Sequence, residues 1–287
     1  MSALALESLE VLARGLDHPE GICETLDGRL YVGGEAGQLY EIAPDGGVRE
    51  LLRTHGFMLG LAADAAGRLY AADAGHHCVW RIDPDGGGRE LFTAGAPERP
   101  LRTPNWGAFG PDGSYYLSDS GRMGAADGCL LRVPPGGEAE VWSEECVAYP
   151  NGLAVDRDGT RLYVLESCPG ALVAFDIRPD GGAGPRELLC DLDPAVPDGV
   201  ALVADGSMVI ACYRPDAIFR WSEADGLRTV VEDPRGQLLA APTNVLFTGA
   251  ARDEIVVPNV GGWHVTRMRA GMAGEPLHYP TAEQLGG

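Results

Sequence analysis

The stretch Tyr149–Ser167, YPNGLAVDRDGTRLYVLES, decides the fold. An apolar run from Gly152 to Val155 is followed by the turn DRDGT and then by a second run, RLYVLES. Asp-Gly between two such runs marks a tight hairpin, because glycine supplies the positive φ that the turn requires. Asn151 stands between a proline and the first run, where a carboxamide ordinarily bonds to its own turn. The meaning of Asn151 therefore depends on how often the phrase recurs.

It occurs six times in all. HPEGICETLDGRLYV starts at His18, FMLGLAADAAGRLYA at Phe57, TPNWGAFGPDGSYYL at Thr103, VPDGVALVADGSMVI at Val196 and APTNVLFTGAARDEIVV at Ala241. Most units continue through a third strand and a Pro-Asp-Gly or similar turn into a fourth. Equivalent positions lie 39 to 47 residues apart, near the period of roughly 40–45 for four-stranded propeller blades. The expectation is an all-β, six-bladed β-propeller of four-stranded antiparallel blades, one domain over 1–287. The last unit shows only three strands, and the segment LEVLAR (Leu9 to Arg14) has no unit of its own. It is expected to supply the missing outer strand of the last blade, closing the ring and covering edges prone to aggregation. Two packed β-sandwiches are the alternative that regular strand spacing also fits.

Composition narrows the chemistry. The 41 glycines and 21 prolines are spread along the chain as punctuation between short elements. A net charge of −20 disfavours nucleic acid and anionic lipid as partners. No lysine occurs, which excludes a Schiff-base mechanism and a P-loop lysine. The seven cysteines, Cys23, Cys78, Cys129, Cys146, Cys168, Cys190 and Cys212, are odd in number and never spaced C-x-x-C. They read as small buried thiols, not as a disulfide or zinc framework. Glu7 and Glu10 fall where a secretion signal needs positive charge, and no stretch is long and apolar enough to span a membrane. The expectation is a cytoplasmic monomer or homodimer acting on a small molecule.

In a propeller the first strand of every blade lines the central channel, so residues at its start converge at one mouth. That position holds Glu20, Leu59, Asn105, Asn151, Asp198 and Thr243. Four of the six carry the oxygen donors that suit a hard divalent cation. Two carboxylates crowded into a narrow channel are costly unless a positive charge lies between them. One divalent cation is therefore expected, calcium foremost, with magnesium, manganese or zinc as alternatives; zinc suits this all-oxygen set least. With only three or four protein ligands, water completes the shell.

At these residues the chain resembles the senescence marker protein/gluconolactonase family, which includes regucalcin-like propellers. HPEG around Glu20, TPNWGAFGPDGSYYLSD around Asn105, YPNGLAVDRDGTRLYV around Asn151 and VPDGVAL around Asp198 carry the resemblance, which extends over essentially the whole chain. It implies a catalytic cation held by Glu20, Asn151 and Asp198, substrate or metal-bound water at Asn105, and Asp198 as general base for lactone hydrolysis. An arginine precedes the channel asparagine by two residues in sugar-lactonase members, but here that residue is Thr103, with Arg102 before it. The resemblance therefore does not extend to the glucose-type contact.

Arg102, Thr103, Trp106, Asp119 and Arg122 are the further candidates for substrate contact, the last two from the loop SDSGRMGAADG. His76, His77 and His264 lie in loops or beside them and are weaker ligand candidates. No G-x-S-x-G, H-E-x-x-H or G-x-G-x-x-G occurs, which removes the common serine hydrolase, zinc protease and dinucleotide readings. Besides a lactonase, the sequence leaves open a phosphotriesterase or arylesterase at a similar site and a non-catalytic calcium-binding propeller scaffold.

Overall fold

The computed structural model describes residues 4–286. Six four-stranded antiparallel sheets form the blades of a propeller. Blade 1 runs through Ile22–Glu24, Leu30–Gly33, Gln38–Ile42 and Val48–Arg53, and blade 2 through Met58–Ala63, Leu69–Asp73, Cys78–Ile82 and Arg89–Thr93. Blade 3 comprises Pro104–Phe109, Tyr115–Asp119, Cys129–Val133 and Glu140–Ser143; blade 4 comprises Pro150–Val155, Arg161–Ser167, Gly170–Asp176 and Glu187–Asp191. Blade 5 holds Val196–Leu202, Met208–Arg214, Ala217–Ser222 and Gly226–Glu232. Blade 6 takes Leu246–Thr248, Glu254–Asn259 and His264–Arg269 from its own unit, and its outer strand, Glu10–Arg14, from the start of the chain.

This closure is the one read from LEVLAR. Glu10 pairs with Arg267 and Arg14 with His264, antiparallel, with a bulge between Val11 and Ala13. On the inner side, Thr243 Oγ1 donates to the Glu20 carbonyl at 3.1 Å, and Thr248 Oγ1 donates to the Glu24 carboxylate. Blade 6 is thus sewn to blade 1 at both its outer and its inner strands.

The apolar side chains do not form one core. They fall into six clusters, one at each interface between neighbouring blades. The period-two alternation of the strands places one set of residues on each face of a blade, so the inner strands are buried on both sides and mostly apolar, while outer strands such as Val48–Arg53 are largely exposed. Glycine allows the inner strands to approach. A Cβ on Gly21 would lie 1.9 Å from the Leu59 carbonyl oxygen, and one on Gly152 would lie 2.4 Å from that of Asp198. The Gly that follows a channel residue therefore faces the backbone of the next blade's channel residue, which is why the repeat reads Pro-Glu-Gly, Pro-Asn-Gly and Pro-Asp-Gly.

Two features lie outside the repeat. A short hairpin, Gly95–Ala96 with Arg99–Pro100, joins blades 2 and 3. The C-terminal segment crosses the end of the channel opposite the mouth that carries Glu20. The Glu275 amide donates to Leu202 O and the Tyr279 hydroxyl donates at 2.9 Å to Glu24 O. Further along, the Ala65 amide donates to Pro280 O and Gln284 Nε2 donates at 2.9 Å to Pro111 O. The strap covers a cavity of about 110 Å³ lined by Ile22, Leu61, Phe109, Leu153, Val200 and Leu246, one residue from each blade. Among the described residues no helix is long and apolar enough to cross a membrane, and all seven cysteines are unpaired, five of them buried.

Candidate active site

Glu20, Asp198 and Asn151 lie close together at one mouth of the channel, and Asn105 stands near the start of the inner strand of blade 3. Asn105 and Asn151 are buried. Glu20 and Asp198 are closely surrounded by protein atoms yet keep partial solvent exposure. Burial raises Glu20 well above the usual carboxylate range, and the neighbouring Asp198 and Glu35 charges raise it further. Burial likewise pushes Asp198 up to about 8, although the Asn151 carboxamide beside it pulls the other way. Leu59, buried, and Thr243 complete the ring of six positions.

Two serines set the orientation of the carboxamides. Ser167 Oγ donates to the Pro197 carbonyl at 2.7 Å, so its proton is committed and it can only accept from Asn151 Nδ2, 3.2 Å away. Ser120 Oγ donates to Pro150 O at 2.7 Å and accepts from Asn105 Nδ2 at 2.9 Å in the same way. Each amide nitrogen is therefore held toward the blade. Asn151 Oδ1 is buried and has no hydrogen-bond partner in the protein. Such an oxygen is costly unless something donates to it or coordinates it.

The residues present fit a hard cation. Two half-buried carboxylates and an orphaned carboxamide oxygen form a donor set of the calcium or magnesium type. Among the described residues no group of three or more His, Cys, Asp and Glu side chains is arranged to hold a metal. The backbone approaching the mouth is also strained. His18, Tyr149 and Ala241, each two residues before its blade's channel position, have φ of 42°, 60° and 49°, a region that side-chain-bearing residues seldom occupy. The Tyr149 phenol lies near enough to Asp198 and Glu20 for their charges to add to the upward push of its burial.

The other candidates occupy different surroundings. Arg102, Thr103 and Arg122 line an open depression beside the mouth, together with His77, Met123 and Tyr149. Asp119 lies beneath it, fully buried, and accepts from the Arg102, Thr103 and Gly121 amides at 2.8 to 3.0 Å. Asp73 does the same for Phe57, Gly75 and His76 in blade 2, whose channel residue is Leu59. An acid at this position thus anchors the loop that leads into the channel. Trp106 packs in the cluster between blades 3 and 4 with Tyr116 and Leu153.

The histidines are placed by other partners. His76 Nδ1 is 2.9 Å from the Asp73 carboxylate and His77 Nδ1 is 2.5 Å from Arg102 O. His264 faces a carbonyl with each ring nitrogen, Gly262 O and Leu238 O, which leaves neither free for a metal. Ser120 and Ser167 are the residues the sequence reading missed. Their signal is positional: both asparagine-bearing blades place serine at the end of the second strand or just past it, where blades 2 and 6 have Ala74 and Val260.

Residues 9–259 match the SMP-30/Gluconolactonase/LRE-like region. The chain belongs to this family. Among solved structures, a gluconolactonase of Xanthomonas campestris superposes with a TM-score of 0.78 at 22% identity over 93% of this chain and 89% of that one. Regucalcin of Agrobacterium tumefaciens, described as a calcium-binding protein, superposes with a TM-score of 0.78 at 17% identity over 95% and 96%. At these identities the likeness shows the fold. Protein STRICTOSIDINE SYNTHASE-LIKE 3 of Arabidopsis thaliana is 26% identical over 76% of this chain and 56% of its own length. The chain spans about half the length of the curated relatives it matches.

Proposed function

We propose that the protein is a divalent-cation-dependent lactonase that opens a cyclic ester in the channel mouth. The observation that carries this reading is the pairing of two half-buried, neighbouring carboxylates, Glu20 and Asp198, with a buried Asn151 oxygen that has no partner. Membership of the gluconolactonase-like family supports the reaction class. Glu20, Asn151 and Asp198 would hold the ion. A cation bound there supplies Lewis acidity to the lactone carbonyl and to water.

The protein's own groups do the rest. An Asp198 carboxylate oxygen takes a proton from the water that adds to the carbonyl carbon, and returns it to the ring oxygen as the C–O bond breaks, giving a hydroxy acid. Asn105, with its nitrogen held by Ser120, offers its other amide atoms to a substrate hydroxyl or to bound water. Glu20 balances the ion and leaves the base role to Asp198, whose neighbour Asn151 favours the charged form. The seven unpaired cysteines support a reducing, cytoplasmic setting.

The test is hydrolysis of a panel of aldonolactones, aryl esters and phosphotriesters before and after chelation. Lactone turnover lost with chelator and regained with calcium, magnesium or manganese supports the proposal. Turnover that survives complete chelation removes it, and tight cation binding without turnover of any substrate replaces it with a binding role.

A further inference from the structure

The depression beside the mouth carries an uneven ion pair. Arg102 Nη1 and Arg122 Nε both bond to the same oxygen, Asp127 Oδ2, at 2.5 and 2.9 Å. Every other ion-paired arginine among the described residues has at least one carboxylate to itself. Two guanidiniums sharing one acid leave a surplus positive charge on a chain of net charge −20. Asp119 beneath the depression is a second acid, held by three backbone amides, but Arg99, which donates to the Asp127 carbonyl and lies near both acids, brings a third guanidinium against the two carboxylates.

The geometry leaves donors to spare. Among the described residues, Arg102 Nε and Nη2 and both Nη atoms of Arg122 have no hydrogen-bond partner, and their side chains are 45% and 76% exposed. The depression adjoins the channel mouth through Tyr149, which lines it and lies near the Asp198 and Glu20 charges. Thr103 and Tyr149, which line it, precede Asn105 and Asn151 by two residues each, and Thr103 Oγ1 donates to Gly121 O at 2.7 Å, tying the arginine loop to the rim. Guanidinium forks match carboxylate and phosphate oxygens better than they match sugar hydroxyls.

We infer that this depression is an anion subsite, and that the preferred substrate is a lactone bearing a carboxylate or phosphate away from its ring carbonyl. The inference rests on the lactonase reading for its substrate and on Arg102 and Arg122 alone for its anion. An acid group seated there would hold the far end of the ring while the carbonyl lies over Glu20, Asn151 and Asp198. The globally acidic surface would otherwise repel such a substrate.

The test compares kcat/KM for glucono-δ-lactone, which is neutral, with glucaro-1,4-lactone, which carries a carboxylate, and 6-phosphoglucono-δ-lactone, which carries a phosphate. The wild type should favour at least one charged lactone by about tenfold or more over the neutral one. Arg122→Gln should cut that ratio by roughly tenfold, chiefly through KM, and Arg122→Glu should cut it further. The charged lactone that loses more identifies carboxylate or phosphate as the group recognised. Lactone turnover with no charge preference, or with a ratio that Arg122→Glu leaves in place, overturns the subsite and spares the lactonase. Calorimetric titration with D-glucarate and 6-phosphogluconate reads the subsite alone: binding that depends on Arg122 in a protein that opens no lactone keeps the subsite and removes the lactonase.

Discussion

Asp198→Asn tests whether the two channel carboxylates burden the fold when no cation is bound. Burial raises the Asp198 pKa from 3.8 to about 8, and Glu20 is raised too, in part by Asp198 itself. A carboxyl with a raised folded pKa binds its proton more tightly in the native than in the unfolded state. Stability is therefore highest below the unfolded value and falls as pH climbs from about 4 through about 8. The Asp198 shift sets an upper bound of about 6 kcal/mol at 1.36 kcal/mol per pH unit. Solvent in the channel and local relaxation lower the realised cost to about 2–3 kcal/mol. At roughly 2–4 °C per kcal/mol for a domain of this size, the chelated wild type should lose about 5–10 °C of Tm between pH 5 and pH 9 relative to Asp198→Asn. The variant, which also relieves Glu20, should unfold at the higher temperature at pH 9 in chelator. Saturating calcium should reverse the order, because the ion binds only the native wild-type site with full affinity. Differential scanning calorimetry with and without chelator reads both. A chelated wild type as stable as the variant across this range, or more stable at pH 9, would refute the reasoning.

Other outcomes follow from the same geometry. Asn151→Asp should tighten cation binding and lower the Tm of the chelated protein, whereas Asn151→Ala should weaken binding by roughly tenfold or more; calorimetric titration measures the affinity. Ser167→Ala frees the Asn151 carboxamide to turn and leaves Pro197 O without its donor, so it should cost about 1–2 kcal/mol of stability by denaturant titration and reduce kcat/KM more than it reduces expression. Gly152→Ala forces a methyl against Asp198 O and should lower Tm by more than any of these, since neither strand backbone can retreat without opening the blade interface.

The blades were legible because one local signal, a strand followed by an Asp-Gly turn, repeats at a fixed period, and because LEVLAR was left over where an outer strand was missing. The channel register follows from the same repeat: a closed ring brings equivalent residues together, and Glu20, Asp198 and Asn151 do lie close to one another. What escaped depends on contacts that have no period. Ser120 and Ser167 act through protons committed to carbonyls of the following blade, and no local pattern announces that. Asp119 looks like any charged loop residue until its three amide donors are seen. The C-terminal strap has no repeat at all, and its hold on Glu24, Ala65 and Pro111 exists only once the ring has closed.

Anomalous diffraction from crystals soaked in manganese measures the central claim directly. One peak within coordinating distance of a Glu20 carboxylate oxygen, Asn151 Oδ1 and an Asp198 carboxylate oxygen, absent from Asp198→Asn crystals, is the predicted result. A saturated soak with no peak in the channel, or with the ion bound elsewhere and Asn151 Oδ1 still bare, would contradict it.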